Sequence, residues 1–181
     1  MIDAAKYDKI ETLKNGTAVR IRSIRADDKD RIYEAFRNLE SESIYTRFFV
    51  HKKALTDEEL KAATEVDFEN VVGLVVTVGE EGDETIIAGG RYAAFDAANN
   101  LRSAEVAFTV EEDYHGQGIA SRLLQHLAQI AREKGVSQFE AEVLSGNKAM
   151  LTVFSRSGLP MKKSFESGTT HVTLALKEAV A

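Results

Sequence analysis

Val19, Ile21 and Ser23 alternate with Arg20, Arg22 and Ile24 over residues 17–24, the period-two pattern of a half-buried strand. Asp27 then offers an N-cap, and Ile32, Ala35, Phe36 and Leu39 recur at helical spacing. Ile44, Tyr45, Phe48 and Phe49 mark a second short helix, and Thr56 or Asp57 caps a third that carries Leu60 and Ala63. The apolar, β-branched run 71–78 predicts a buried strand, followed by a turn over 79–84. Segments 85–95 and 104–110 flank Asn99-Asn100 and read as a hairpin. The period then changes. Leu123, Leu124, Leu127, Ile130 and Ala131 form a helical stripe that Gly135 ends as a C-cap glycine. A strand over 139–144 follows, and Asn147 caps a helix with Met150, Leu151 and Phe154, ending near Gly158. Strands over 161–165 and 171–176, joined at Ser167-Gly168, close the chain.

This order predicts a mixed α/β domain over residues 17–181 with one βαβ unit at 104–144, preceded by a lead-in over 1–16 that ends at the Asn15-Gly16 turn. Ligands in such sheets gather near strand ends and helix N-termini.

Composition narrows the classes. With 181 residues, 44% apolar and 29% charged, the chain suits one globular core. No apolar run approaches the roughly 20 residues of a membrane helix, so no membrane partner is expected. The polar first residues carry no signal-peptide pattern, and cysteine is absent, which excludes disulfides and thiol nucleophiles. A cytoplasmic protein is expected. The net charge is −6 and basic residues are scattered, which argues against nucleic-acid binding. His51, His126 and His171 have no partner at ligand spacing, so no metal is expected.

The candidate chemistry centres on His115, Gly116, Gln117, Gly118, Ile119, Ala120 and Ser121, between a predicted strand and a predicted helix. Glycines allow a sharp turn and close ligand approach, and the helix start presents free N–H groups and a positive dipole end. A pyrophosphate suits that cradle. A tight turn without a ligand is the plain alternative. A dinucleotide loop is another, since Gly116, Gly118 and Ser121 come near G-x-G-x-x-G, but an antiparallel hairpin precedes this loop. No Gly-Lys-Ser/Thr follows, which excludes a kinase-type phosphate loop.

With Gly118 and Ala120 on the G-x-G/A positions of a Q/R-x-x-G-x-G/A loop, the chain resembles the GNAT acetyltransferase superfamily. Three other segments share the resemblance: the strand 104–110, Asn147 with Phe154 and Gly158-Leu159, and residues 41–49. The last is similar to a segment in the GNAT domains of bacterial protein lysine acetyltransferases. The resemblance implies a mostly antiparallel, twisted sheet of about seven strands with one βαβ unit and flanking helices. It also implies acetyl-CoA as cosubstrate, bound by residues 115–121 and by strand groups at Phe108, Thr109 and Val110. Asn147 is read equally as a pantetheine contact and as a plain N-cap. Two positions depart from the family: His115 replaces the usual Gln or Arg, and Phe154 stands where many members carry a proton-donating tyrosine.

Acetyl transfer to an amine needs a base, since a lysine ammonium titrates near ~10. Glu105, the one carboxylate inside the strand before the loop, is the candidate catalytic residue, with burial expected to raise its pKa. A cross-strand pair with Arg91 is the plain alternative. The acidic chain suits a cationic amine acceptor, a protein lysine slightly before a small molecule. A non-catalytic acyl-CoA-binding sensor or scaffold is the competing function, and a homodimer stays open.

Overall fold

The long apolar run Val71–Val78 forms β3, buried on both faces at the middle of an eight-stranded sheet. The computed structural model describes residues 2–37, 55–98 and 101–176. Its strands are β1 (Asp8–Thr12), β2 (Ala18–Ser23), β3, β4 (Thr85–Asp96), β5 (Arg102–Val110), β6 (Gln138–Leu144), β7 (Met161–Glu166) and β8 (Thr169–Ala175). Four helices are described: α1 (Lys29–Arg37), α2 (Asp57–Thr64), α3 (Ile119–Glu133) and α4 (Lys148–Ser155). The expected helix at Ile44, Tyr45, Phe48 and Phe49 lies outside the described residues, as does His51. None of the described helices is long and apolar enough to cross a membrane.

The sheet order is β1-β2-β3-β4-β5-β6-β8-β7, antiparallel everywhere except between β5 and β6. The mixed, mostly antiparallel sheet and its one βαβ unit match the expectation. The strand count differs. β1 arises inside the stretch read as a lead-in, pairing Asp8–Thr12 with β2. Its residues, DKIET, are mostly exposed, including Ile10. An edge strand needs only backbone pairing on one side, so it leaves no burial pattern to read.

The amphipathic α3 packs on the sheet through Leu123, Leu124, Leu127, Ile130 and Ala131, against a layer holding Tyr92, Val106, Phe108 and Phe139. Each fully buried Leu or Ile contributes roughly 1.5–3 kcal/mol. Gly90 lets the helix approach closely. A Cβ there would stand 2.9 Å from Phe108 Cδ1 and 3.2 Å from Leu127 Cδ1. A smaller cluster of Ile24, Val75 and Ile86, with Ile32 and Ala35, lies on the other face.

Alternation alone places Arg22 on a polar face, yet it is 4% exposed. Asp28 makes this tolerable. It takes two bonds from Arg22, at 2.7 and 2.8 Å, plus one from the Arg25 backbone N–H at 2.8 Å and one from Arg31 at 3.0 Å. Glu84 accepts from Arg22 at 3.0 Å. Asp28, rather than the expected Asp27, therefore organises the entry to α1. Burial pushes the Asp28 carboxyl up, but these donors outweigh it and hold its pKa below the ordinary range. Glu84 is lowered in the same way.

Removing Asp28 leaves a buried guanidinium without its main partner, so Asp28→Ala is expected to lose about 3–5 kcal/mol in urea denaturation. Arg20→Ala, which breaks the exposed pair with Asp8, is expected to lose less than about 1 kcal/mol. Both buried carboxyls have lowered folded-state pKa values, so their contribution is complete above the unfolded values of about 3.9–4.3 and is lost as pH falls through the folded values. Urea midpoints should hold above pH ~5 and fall steeply in more acid solution.

Candidate active site

The parallel register between β5 and β6 covers Ser103 with Gln138, Ala104 with Phe139 and Glu105 with Glu140. There it ends, and the strands part. Beyond that point Val106, Ala107, Phe108, Thr109 and Val110 of β5 face Ala141, Glu142 and Val143 of β6 across a groove of about 740 Å³. One end of the groove runs onto the start of α3 and the other side is lined by α4.

Short-range chemistry shapes the loop before α3. Gly116 has φ +80° and Gly118 φ +81°, left-handed values that strain residues with a side chain. His115 donates from Nε2 to the Val110 carbonyl at 2.9 Å, tying the loop back to its strand. Gly118 is the N-cap of α3, and no side chain among the described residues caps the helix. The first-turn amides therefore face the groove without a protein substitute, the arrangement that favours an anion.

Of the residues expected to hold a ligand, Phe108, Thr109, Val110, His115, Gly116, Gly118, Ile119, Ala120, Ser121 and Asn147 line the groove. Gln117 does not. Its side chain instead accepts from the Asn15 backbone N–H at 3.0 Å. Asn147 accepts from Met150 N at 3.2 Å, so its side-chain oxygen is engaged as an N-cap while the residue still lines the groove. Phe154 is 1% exposed and packs on Phe108, with ring centroids 6.2 Å apart.

Glu105 lines the groove where the strands part. It is exposed rather than partly buried as expected. Arg91 stands opposite Ala107, whereas Ala93 stands opposite Glu105, so the anticipated cross-strand pair is displaced by one diagonal step. On the same sheet face, Glu105 is in register with Glu140, and Glu142 is in register with His171 of β8. His171 bonds Glu142 through Nδ1, and its Nε2 lies 3.4 Å from Glu140. Among the described residues no group of three or more His, Cys, Asp or Glu is placed to hold a metal.

Glu142, Val143, Lys14 and Arg156 also line the groove, and no motif announces them. Their place depends on where β6 diverges and on how the N-terminal hairpin folds over α3.

Residues 31–159 match the acetyltransferase (GNAT) family. The chain is 34% identical over 146 residues to acetyltransferase Pat of Mycolicibacterium smegmatis, covering 81% of this chain and 42% of that protein. It thus spans less than half the length of that relative. It is 28% identical over 141 residues to an acetyltransferase of Pseudomonas aeruginosa, covering 78% and 74% of the two chains. The crystal structure of the GNAT domain of S. lividans PAT superposes with a TM-score of 0.83 at 35% identity, covering 93% of this chain and 96% of that one.

The bond from Glu142, aided by the charges of Glu142 and Glu140, outweighs burial and raises the His171 pKa above the ordinary 6.5. The ion pair is therefore complete below that unfolded value and is lost as pH rises through the higher folded one. In an NMR titration His171 should lose its proton above pH 6.5. Glu142→Gln should move that titration to lower pH, and an unmoved midpoint would exclude Glu142 as the cause.

Proposed function

The chain belongs to the GNAT acetyltransferase family, and on that premise we propose that it transfers an acetyl group from acetyl-CoA to a primary amine. A protein lysine is favoured over a small amine. One observation carries the reading: a single groove joins the uncapped amides at the α3 start to the carboxylate of Glu105.

In this reading the pyrophosphate of the cosubstrate lies on the amides of residues 116–121, and its pantetheine arm runs between β5 and β6. The thioester then lies near Glu105. Backbone groups of Phe108, Thr109 and Val110, on the side where β6 has parted, meet the arm and the carbonyl oxygen. The amine arrives largely as ammonium, since a lysine titrates near ~10.4. Glu105, directly or through a water, takes its proton, and the freed nitrogen attacks the thioester carbon. The new C–N bond forms, the nitrogen releases its second proton to solvent, the C–S bond breaks, and the departing thiolate takes up a proton from solvent. Phe154 has no proton to give. A thiolate whose parent thiol titrates near ~8.5 departs without a dedicated acid.

The carboxylates support a cationic acceptor. Glu105, Glu140 and Glu142 share one sheet face across β5 and β6, where an approaching ammonium meets negative charge.

The test is CoA release from acetyl-CoA with a panel of lysine peptides and small amines. Glu105→Gln keeps the shape and removes the base, so kcat/KM should fall roughly 10²–10³-fold while CoA affinity changes less than about twofold. An unchanged rate would remove Glu105 from the chemistry. Binding of CoA with no turnover on any amine would favour a non-catalytic acyl-CoA-binding module.

A further inference from the structure

The N-terminal hairpin reaches the phosphate end of the groove. Leu13, 3% exposed, anchors its turn in the core, and the turn is closed by Gly16 N–H to Leu13 O and Leu13 N–H to Thr17 O, both 2.9 Å. Next to this anchor, Lys14 is exposed and lines the groove. A Cβ placed on Gly118 would stand 3.6 Å from Lys14 Cε. The ammonium one bond farther out is thus carried beside the glycine that starts α3.

The hairpin is held there by several bonds. Asn15 N–H donates to Gln117 Oε1 at 3.0 Å. Arg122, in the first turns of α3, donates to Glu11 Oε1 at 2.6 Å and to Thr12 O at 2.9 Å. His126 bonds Glu11 Oε2 at 2.6 Å and Tyr7 OH through its other nitrogen. Glu11 is thereby engaged by two cationic or donor partners, whereas Lys14 has no ion-pair partner among the described residues. A charged side chain on a braced support, free of a carboxylate, is oriented in advance for an anion.

The groove is also polarised. Lys14 is at the Gly118 end, while Glu105 and Glu142 line the stretch where β5 and β6 part. His115, the basic group of the loop itself, spends Nε2 on the Val110 carbonyl, and Arg156, which also lines the groove, follows α4. With a net charge of −6, the protein repels a polyanion at long range, and neutral amides with a helix dipole offset only part of that.

We propose that Lys14 is a cosubstrate-binding residue, delivered by the β1–β2 turn to the pyrophosphate of CoA as that group lies on the α3 amides. The inference rests on the acetyl-CoA reading and adds to it a cation from outside the loop.

Calorimetric titration of the full chain with CoA tests it. Lys14→Ala is expected to weaken binding roughly 5- to 20-fold, the range of one partly screened charge-assisted contact. Lys14→Arg, which keeps the charge, should remain within about threefold of wild type, and the charge-matched control Lys163→Ala on exposed β7 should bind as wild type. The Lys14→Ala deficit should shrink in ~0.5 M salt. With 3′-dephospho-CoA the deficit should persist, because the pyrophosphate remains; its disappearance would overturn the pyrophosphate assignment. Equal CoA affinity of Lys14→Ala and wild type overturns the inference, and so does a Lys14→Arg as weak as Lys14→Ala. Failure of the wild-type chain to bind CoA at all would instead sink the acetyl-CoA reading itself.

Discussion

Past the pair Glu105 and Glu140, the ladder between β5 and β6 ends and a groove opens between the strands, where the Val110 carbonyl accepts from His115. Backbone polar groups away from solvent must find partners. A sheet that parts in its middle therefore offers a row of donors and acceptors to an extended, amide-containing ligand. On its other side β5 keeps its pairing with β4 from Asp96 and Arg102 up to Ala88 and Val110. One edge of β5 is rigid and the other is open, and both properties are needed to hold a ligand in a defined pose.

Helix α3 carries two loads at opposite ends of its structure. Its inward stripe, from Ile119 to Ala131, packs the core, and Gly90 thins β4 to admit Leu127 and Phe108. Its first turn is left without a side-chain cap. A helix that depended on its cap for stability would need an extended Ser or Asp there, whereas Gly118 holds a left-handed φ of +81° that only glycine adopts readily. The extensive burial of α3 makes the cap dispensable, and its absence leaves the amides to a ligand.

Electrostatics are divided among the faces. The buried cluster of Arg22, Asp28 and Glu84 pairs its charges, although Arg22 Nε keeps no partner, and it sets how α1 leaves the sheet. Glu105, Glu140, Glu142 and His171 lie on the opposite stretch of sheet, accessible to a cation. The hairpin of β1 and β2 places Lys14 at the far end of the groove. Charges of both signs thus stand along one groove.

Most of this architecture was legible along the chain. A period-two run marked β2, the stripe from Leu123 to Ala131 marked α3, and the two glycines before it marked the loop, because burial and left-handed backbone leave local signatures. Phe108, Thr109, Val110 and the loop residues other than Gln117 line one groove. Edge strand β1 left no such mark, since pairing on a single side demands no apolar face. Arg22 reads as a surface residue, and only Asp28 and Glu84, brought from other elements, allow its burial. The exposure of Glu105, the turn of Gln117 away from the groove and the arrival of Lys14 beside Gly118 were likewise decided by contacts between segments far apart in sequence. Local patterning specified which backbone geometry each segment adopts. Where β5 and β6 part, and which side chains meet there, follows from long-range packing that no single segment encodes.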